Sequence, residues 1–335
     1  MKRFMALMVT VVLIAAMVAG CGGGGSKEPA GKEPAGKFRV ALVMPGPVND
    51  AGWNATAYGG VSAAQKKLDF DFQYTENVSQ SDAEEVLRGY AQQGFNLVIA
   101  HGYQFGDAVL KVAKEFPKVM FITTSSNVHQ APPNAASAIA DYNEEGFLMG
   151  VMAALITKTN KVGSIGGEHM ASIEGQLANF EKGVKYINPS VEVKNVWTGS
   201  FSDIAKAKET AIALIEDGCD VMTASANQAG VGVIQACQQK GKIYLGLNSD
   251  QNPAGPDVVL TSGVGDWGVA FEVLIKKAMD GQLEPKHYLL GAKDGAVYPA
   301  PYHGLESKIP PEAKQKFEEV FQQMKDGKLD IYSVK

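Results

Sequence analysis

The stretch Pro45 to Gly60, PGPVNDAGWNATAYGG, concentrates side chains that could recognise a small planar polar molecule. Asn49, Asp50 and Asn54 offer hydrogen-bond donors and acceptors, and Trp53 offers a broad π-face. The same residues have a plainer use, in which Asn49 or Asp50 caps a helix and Trp53 fills a core. The flanks favour a site. An apolar run, Phe38 to Met44, reads as a strand, and Ala57, Val61, Ala64 and Leu68 recur at helical spacing. Strand, glycine-punctuated turn and helix make the first half of a βαβ unit, and open α/β sheets bind ligands at the carboxyl ends of their strands.

The elements that must position these residues alternate along the chain. Val40 to Met44, Phe70 to Tyr74, Leu97 to Ala100 and Val119 to Thr123 read as strands. Ser81 to Gln93 reads as a helix, with Ser81 and Glu84 in capping-box spacing and Gly94 as its stop. Such alternation predicts a mostly parallel sheet covered by helices on both faces. The plan then repeats at an offset of 124 residues: QGFNLV at Gln93 to Val98 answers DGCDVM at Asp217 to Met222, and Gly106 answers Gly230. The fold class expected is α/β, built as two similar lobes with a ligand cleft between them.

The repeat sets Tyr103 opposite Asn227, past the third strand of each lobe, and Ser125 opposite Ser249, past the fourth. Ser126 falls opposite Asp250. Polar and aromatic residues at these strand ends are where a cleft would find them. Farther on, the sequence predicts a strand at Val258 to Thr261, an apolar helix from Trp267 to Ile275 and an amphipathic helix from Pro310 to Lys325. The boundaries expected are 38–158 for the first lobe, 159–252 for the second, and 253–335 for a return to the first with C-terminal elements crossing the hinge.

Several function classes are disfavoured. Glu144 and Glu145 are the available carboxylate pair, but neighbours on a helix point apart. The Ile165-Gly-Gly167 turn lacks the spacing of a dinucleotide site or P-loop. Five histidines without H-x-x-x-H or H-E-x-x-H spacing argue against a metal site, and no cofactor is expected. No basic patch with interleaved aromatics suggests nucleic acid. Cys219 and Cys237 sit in apolar contexts and read as buried free thiols.

The amino-terminal residues point to a compartment. Lys2 and Arg3 precede an apolar run from Phe4 to Val18, closed by Ala19, Gly20 and Cys21. This is the layout of a secretory signal, and Val18-Ala-Gly-Cys21 resembles the lipobox of bacterial lipoproteins, in which the cysteine is lipidated and becomes the mature terminus. Residues 1–21 are thus expected to be a lipoprotein signal, and residues 22–37, with KEPAG twice, a disordered tether. Fully stretched, that tether would reach roughly 50 Å. Without Lys2 and Arg3 the formal charge is 29 minus 36, or −7.

Asp50-Ala-Gly-Trp53-Asn54, Phe147-Leu-Met-Gly150, KTNKVGSIGG at Lys158 to Gly167, Gly199-Ser-Phe-Ser-Asp203 and Ser249-Asp250-Gln251 together resemble the basic membrane protein family. These are the purine nucleoside receptor A-like substrate-binding lipoproteins of ABC transporters. The resemblance implies a type I periplasmic-binding-protein fold with three crossovers and a cleft that closes on ligand. It implies that Trp53 stacks on a purine, Asp50 and Asn54 bind its edge, and Asp250 binds ribose hydroxyls. Two departures bear on ribose: the second aromatic usual at the Thr223 strand is missing, and Gly265 stands where nucleoside-binding members carry lysine. Gly265-Asp-Trp267-Gly268 looks more like a branch of which some members take free bases. The ligand set expected is Asn49, Asp50, Trp53, Asn54, Tyr103, Ser125, Phe201, Asn227, Asp250 and Trp267, with Phe201 or Trp267 covering the second face of a heterocycle stacked on Trp53. The partners expected are a purine nucleoside or base, an ABC permease with its ATPase, and a membrane reached through the lipid anchor. The protein is expected to be monomeric and to face the extracytoplasmic side of the cell membrane. A lipoprotein that presents ligand to a membrane receptor kinase is the alternative role.

Overall fold

The protein is described from a computed structural model, which covers residues 36–48, 53–125 and 132–334. Lys37 to Lys335 form one compact unit. Among the described residues, twelve strands form two six-stranded sheets. The first contains β1 (Phe38–Val43), β2 (Phe70–Thr75), β3 (Leu97–His101), β4 (Met120–Thr124), β5 (Ala135–Ala140) and β11 (His287–Leu290). The second contains β6 (Lys161–Gly166), β7 (Glu192–Trp197), β8 (Val221–Ser225), β9 (Ile243–Gly246), β10 (Val259–Gly265) and β12 (Val297–Pro299). Their orders, 2-1-3-4-5-11 and 7-6-8-9-10-12, are the same pattern twice. All pairings are parallel except β10 with β12.

Each sheet is buried on both faces, which the alternation of side chains along a strand makes visible. In β1, Val40 and Leu42 pack with α1 (Trp53–Lys67) and α8 (Trp267–Met279). Ala41 and Val43 pack on the other face with α2 (Ala83–Gln92) and α3 (Gly106–Glu115). The second lobe repeats this arrangement. Val221 faces a core shared with α4 (Tyr142–Ile156), α5 (Ala171–Ile187) and α9 (Pro311–Lys325). Met222 and Ala224 face α6 (Ile204–Glu216) and α7 (Gly230–Lys240). The 124-residue offset holds element by element: Leu97 and Val221 begin strands, Gly106 and Gly230 begin helices, and Ala135 and Val259 begin strands.

The lobe limits differ from 158 and 252. Helix α4 belongs to the second lobe, because it is apolar on nearly every side and buries against α5. Backbones meet closely there: a Cβ on Gly150 would stand 2.0 Å from Phe180 O, and one on Gly183 2.0 Å from Phe147 O. Strand β10 extends the β9 ladder, β12 pairs with β10, and α9 joins the same core, so only α8 and β11 of the final third return to the first lobe. The chain crosses between lobes at 140–142, 265–267 and 290–297.

One local expectation fails. Asp82, not Ser81, occupies the α2 N-cap and makes no side-chain cap bond. Ser79, Ser81 and Asp82 bond one another, so those oxygens are already used. Gly94 does follow the helix in the left-handed region, with φ 77°. Cys219 and Cys237 are buried and free.

Candidate functional site

A cavity of about 940 Å³ opens between the lobes at the carboxyl ends of their strands. The first lobe supplies Trp53 and Thr56 from the start of α1 and Trp267 from the start of α8. The second supplies Ser172, Ile173 and Gln176 from α5, Asn227 and Gln228 from the turn after β8, and Leu247 to Ser249 from the turn after β9. Tyr142, Gly265, Asp266 and Tyr298 come from the crossings and from β12. Among the described residues the lining holds one acid, Asp266, and no lysine, arginine or histidine. A neutral ligand with a flat face and a hydrogen-bonding edge suits such walls. A phosphorylated one would find no counter-charge among the described lining residues.

Aromatic rings build the first-lobe wall. Trp53 lies flat on His101, centroids 4.1 Å apart and planes at 22°. The buried imidazole is held by Thr124 Oγ1 at 2.9 Å from Nδ1, and its Nε2 lies 3.3 Å from Trp53 O. Trp267 meets Trp53 edge-on at 84° and is 3% exposed. It therefore braces Trp53 and cannot form the second slice of a sandwich over the same ring. Its Nε1 donates to Tyr142 OH at 3.4 Å.

Of the residues singled out in the sequence, Trp53, Asn227 and Trp267 line this cavity. Asn54, the next residue on α1 after Trp53, is buried, its Oδ1 accepting from Gly46 N at 3.3 Å. Tyr103 is 71% exposed and is not part of the lining. Ser125, in the left-handed region at φ 56°, and Phe201, against Gly167, do not reach the cavity either. Asp250 lines a smaller neighbouring pocket of about 200 Å³. Its Oδ2 pairs with His303 Nε2 at 2.7 Å, and its Oδ1 accepts from Asn252 N at 3.1 Å. Asn49, Asp50, Cys21 and the tether lie outside the described residues. At the equivalent positions Tyr103/Asn227 and Ser125/Ser249, only the second-lobe member lines the cavity.

Sequence reasoning missed Tyr142, Gln176, Asn248, Asp266 and Tyr298. Asn248 had a signal, since it stands beside Ser249 in the turn after β9. Asp266 had another as the N-cap of α8, its Oδ1 accepting from Gly268 N and Val269 N while Oδ2 accepts from Tyr298 OH at 2.8 Å. Burial and the Asp266 carboxylate push the Tyr298 phenol up to about 12. Gln176, within an amphipathic helix, had none.

The two adjacent glutamates of α4 do point apart, and each engages another crossing. Glu144 Oε2 accepts from Ala292 N at 2.5 Å, on the 290–297 crossing. Glu145 is wholly buried beside Gly263 and Gly265 of β10. The C-terminal segment adds a clasp: Tyr332 OH donates to Asp141, the N-cap of α4, at 2.8 Å.

Two such lobes, joined by three crossings around a cavity with an aromatic wall, define a periplasmic-type ligand-binding protein. The type I fold is shared with a solute-binding protein of an ABC transporter system from Conexibacter woesei, with TM-score 0.72 and 23% identity over 88% of this chain and 98% of that one. The chain belongs to the Bmp family, the PnrA-like ABC transporter substrate-binding proteins, whose model matches residues 37–330. It is 28% identical to a purine-binding protein of Brucella abortus over 89% of this chain and 83% of that protein. It is also 28% identical to the ABC transporter nucleoside-binding protein BmpA of Lactococcus lactis, over 84% and 86% respectively. A transcriptional activator protein, med, of Bacillus subtilis is 28% identical over 77% and 80%.

Proposed function

We propose that this substrate-binding protein takes a purine nucleoside in the interlobe cavity and delivers it to an ABC permease and its ATPase. The observation that carries the reading is the wall itself: an indole face backed by His101, together with side-chain amides and hydroxyls, and with no basic residue among the described lining residues. A purine presents two π-faces and an edge of mixed donors and acceptors, and the lack of counter-charge among the described lining residues favours nucleoside over nucleotide. Relatives named for purine and nucleoside binding support the same choice. A free base is the second reading, favoured by the engagement of Asp250 with His303. In this proposal the protein acts as a monomer on the extracytoplasmic side of the cell membrane, held by lipid on Cys21.

Calorimetry with adenosine, guanosine, inosine, adenine, guanine and hypoxanthine tests the ligand. Saturable binding of at least one is expected. Silence from all six would remove the purine assignment.

A further inference from the structure

The floor of the cavity is a chain of hydrogen bonds whose direction is set at one end. Asn248 N donates to Glu145 Oε2 at 2.8 Å, and a backbone N–H can only donate. Oε2 accepts there, and Gln176 meets it at 3.2 Å through the amide nitrogen, Nε2. The same Nε2 donates to Asn248 Oδ1 at 3.0 Å, while Gln176 Oε1 accepts from Ser225 Oγ at 2.6 Å. Amide orientations are assigned from such networks, and with the Glu145 proton on Oε1 rather than Oε2 the Gln176 and Asn248 orientations follow. With Oδ1 turned inwards, the amide group left to the cavity wall is Asn248 Nδ2, which has no partner among the described residues.

Glu145 must keep Oε2 as an acceptor without becoming a naked buried charge. It is 0% exposed, makes no ion pair among the described residues, and its Oε1 has no hydrogen-bond partner. A carboxylic acid with its proton on Oε1 meets both conditions at far lower desolvation cost than a carboxylate. Burial accordingly drives its pKa well above the ordinary carboxylate range.

We infer that Glu145, Gln176 and Ser225 lock the Asn248 amide with Nδ2 towards the cleft, making residue 248 a donor-only contact that selects 6-oxopurines over 6-aminopurines. An NH₂ group can serve the adjacent N7 and O6 acceptors of an oxopurine; on an aminopurine one of its protons meets another donor. Glu145, Gln176 and Ser225 are positioning residues, and Asn248 is the contact. The selectivity rests on the purine reading. The lock does not.

The test compares inosine with adenosine, and hypoxanthine with adenine, by calorimetry. The 6-oxo member of each pair should bind about tenfold tighter, the cost of confronting two donors. Asn248→Asp keeps the inward acceptor and turns the outward donor into an acceptor, so the preference should vanish or invert. Gln176→Met frees the amide to rotate and should bring the ratio towards one, with melting temperature recorded to identify a variant that does not fold; in that event Asn248→Asp decides. An equal affinity for both members in the wild type, or an unchanged ratio in Asn248→Asp, overturns the selectivity. If no purine binds, the purine reading falls and the lock is read in the ligand-free protein by side-chain amide hydrogen exchange. Fast exchange at Asn248 Nδ2 with slow exchange at Gln176 Nε2 supports it, and the reverse order overturns it.

Discussion

The Trp53 indole rests on the His101 imidazole at 4.1 Å, which leaves only the opposite face of the indole for a ligand in the cavity it lines. Removing that face should cost about 1–3 kcal/mol, by analogy with base–aromatic stacking. Trp53→Ala is expected to weaken purine binding roughly ten- to a hundredfold in calorimetry. An unchanged dissociation constant would mean that the ligand stacks elsewhere.

Asp250 already holds His303 and the backbone of Asn252. With both oxygens engaged, it braces the loop after β9. Asp250→Ala should therefore lower affinity for a nucleoside and its free base by the same factor. A loss confined to the nucleoside would place the carboxylate on the ribose.

Glu144 introduces a pH dependence. Burial lifts its carboxyl to about 7, against the ordinary 4.5, with Asp141, Asp294 and Asp330 adding to the rise and the Ala292 N–H opposing it. The folded protein therefore holds this proton more tightly than the unfolded chain. Its contribution to stability is greatest below pH 4.5, declines as pH rises to about 7, and is level above. Glu144→Gln keeps an acceptor for Ala292 and removes the titration, so the variant should gain on the wild type between pH 5 and 7.5 in thermal melting. Parallel melting curves across that range would refute this.

The contact between α4 and α5 has no room for a methyl group. Gly150→Ala would press a Cβ to within 2.0 Å of Phe180 O, and should cost about 2–3 kcal/mol in urea unfolding. Gly89→Ala is the contrast. It lies within α2 with nothing within 4 Å of its Cβ position, and should stabilise by about 0.4–1 kcal/mol.

Anchoring is tested at Cys21. One acyl chain holds a protein only marginally, whereas two or more, at about 0.8 kcal/mol per buried CH₂, hold it stably. Cys21→Ser should move the protein from the membrane fraction to the soluble one. Retention on membranes after a salt wash would exclude lipidation as the anchor.

The two-lobe plan was readable along the chain because it rests on local period. Alternating side chains, helical spacing and a 124-residue offset survive without coordinates, and β3 with β8 and α3 with α7 fall where that offset sets them. Trp53 and Asn227 stood out for the same reason, each at the carboxyl end of a strand or the start of the next helix, whereas Trp267 stood out through the family resemblance. Composition does not say which of two lobes contributes to a shared cavity, so Tyr103 and Asn227 looked alike until one proved to be 71% exposed and the other part of the wall. Nor could it rank Asn248 above Asp250. Two residues apart in a loop, they face different pockets, because one side chain is drawn to Gln176 and the other to His303. Glu145 and Gln176 lie 31 positions apart, and Glu145 and Asn248 103 apart. Their network exists only where the packing of α4 on α5 and the end of β9 converge. Hydrogen bonds of that reach depend on distances of a few tenths of an ångström, which tertiary packing sets and one-dimensional spacing does not encode.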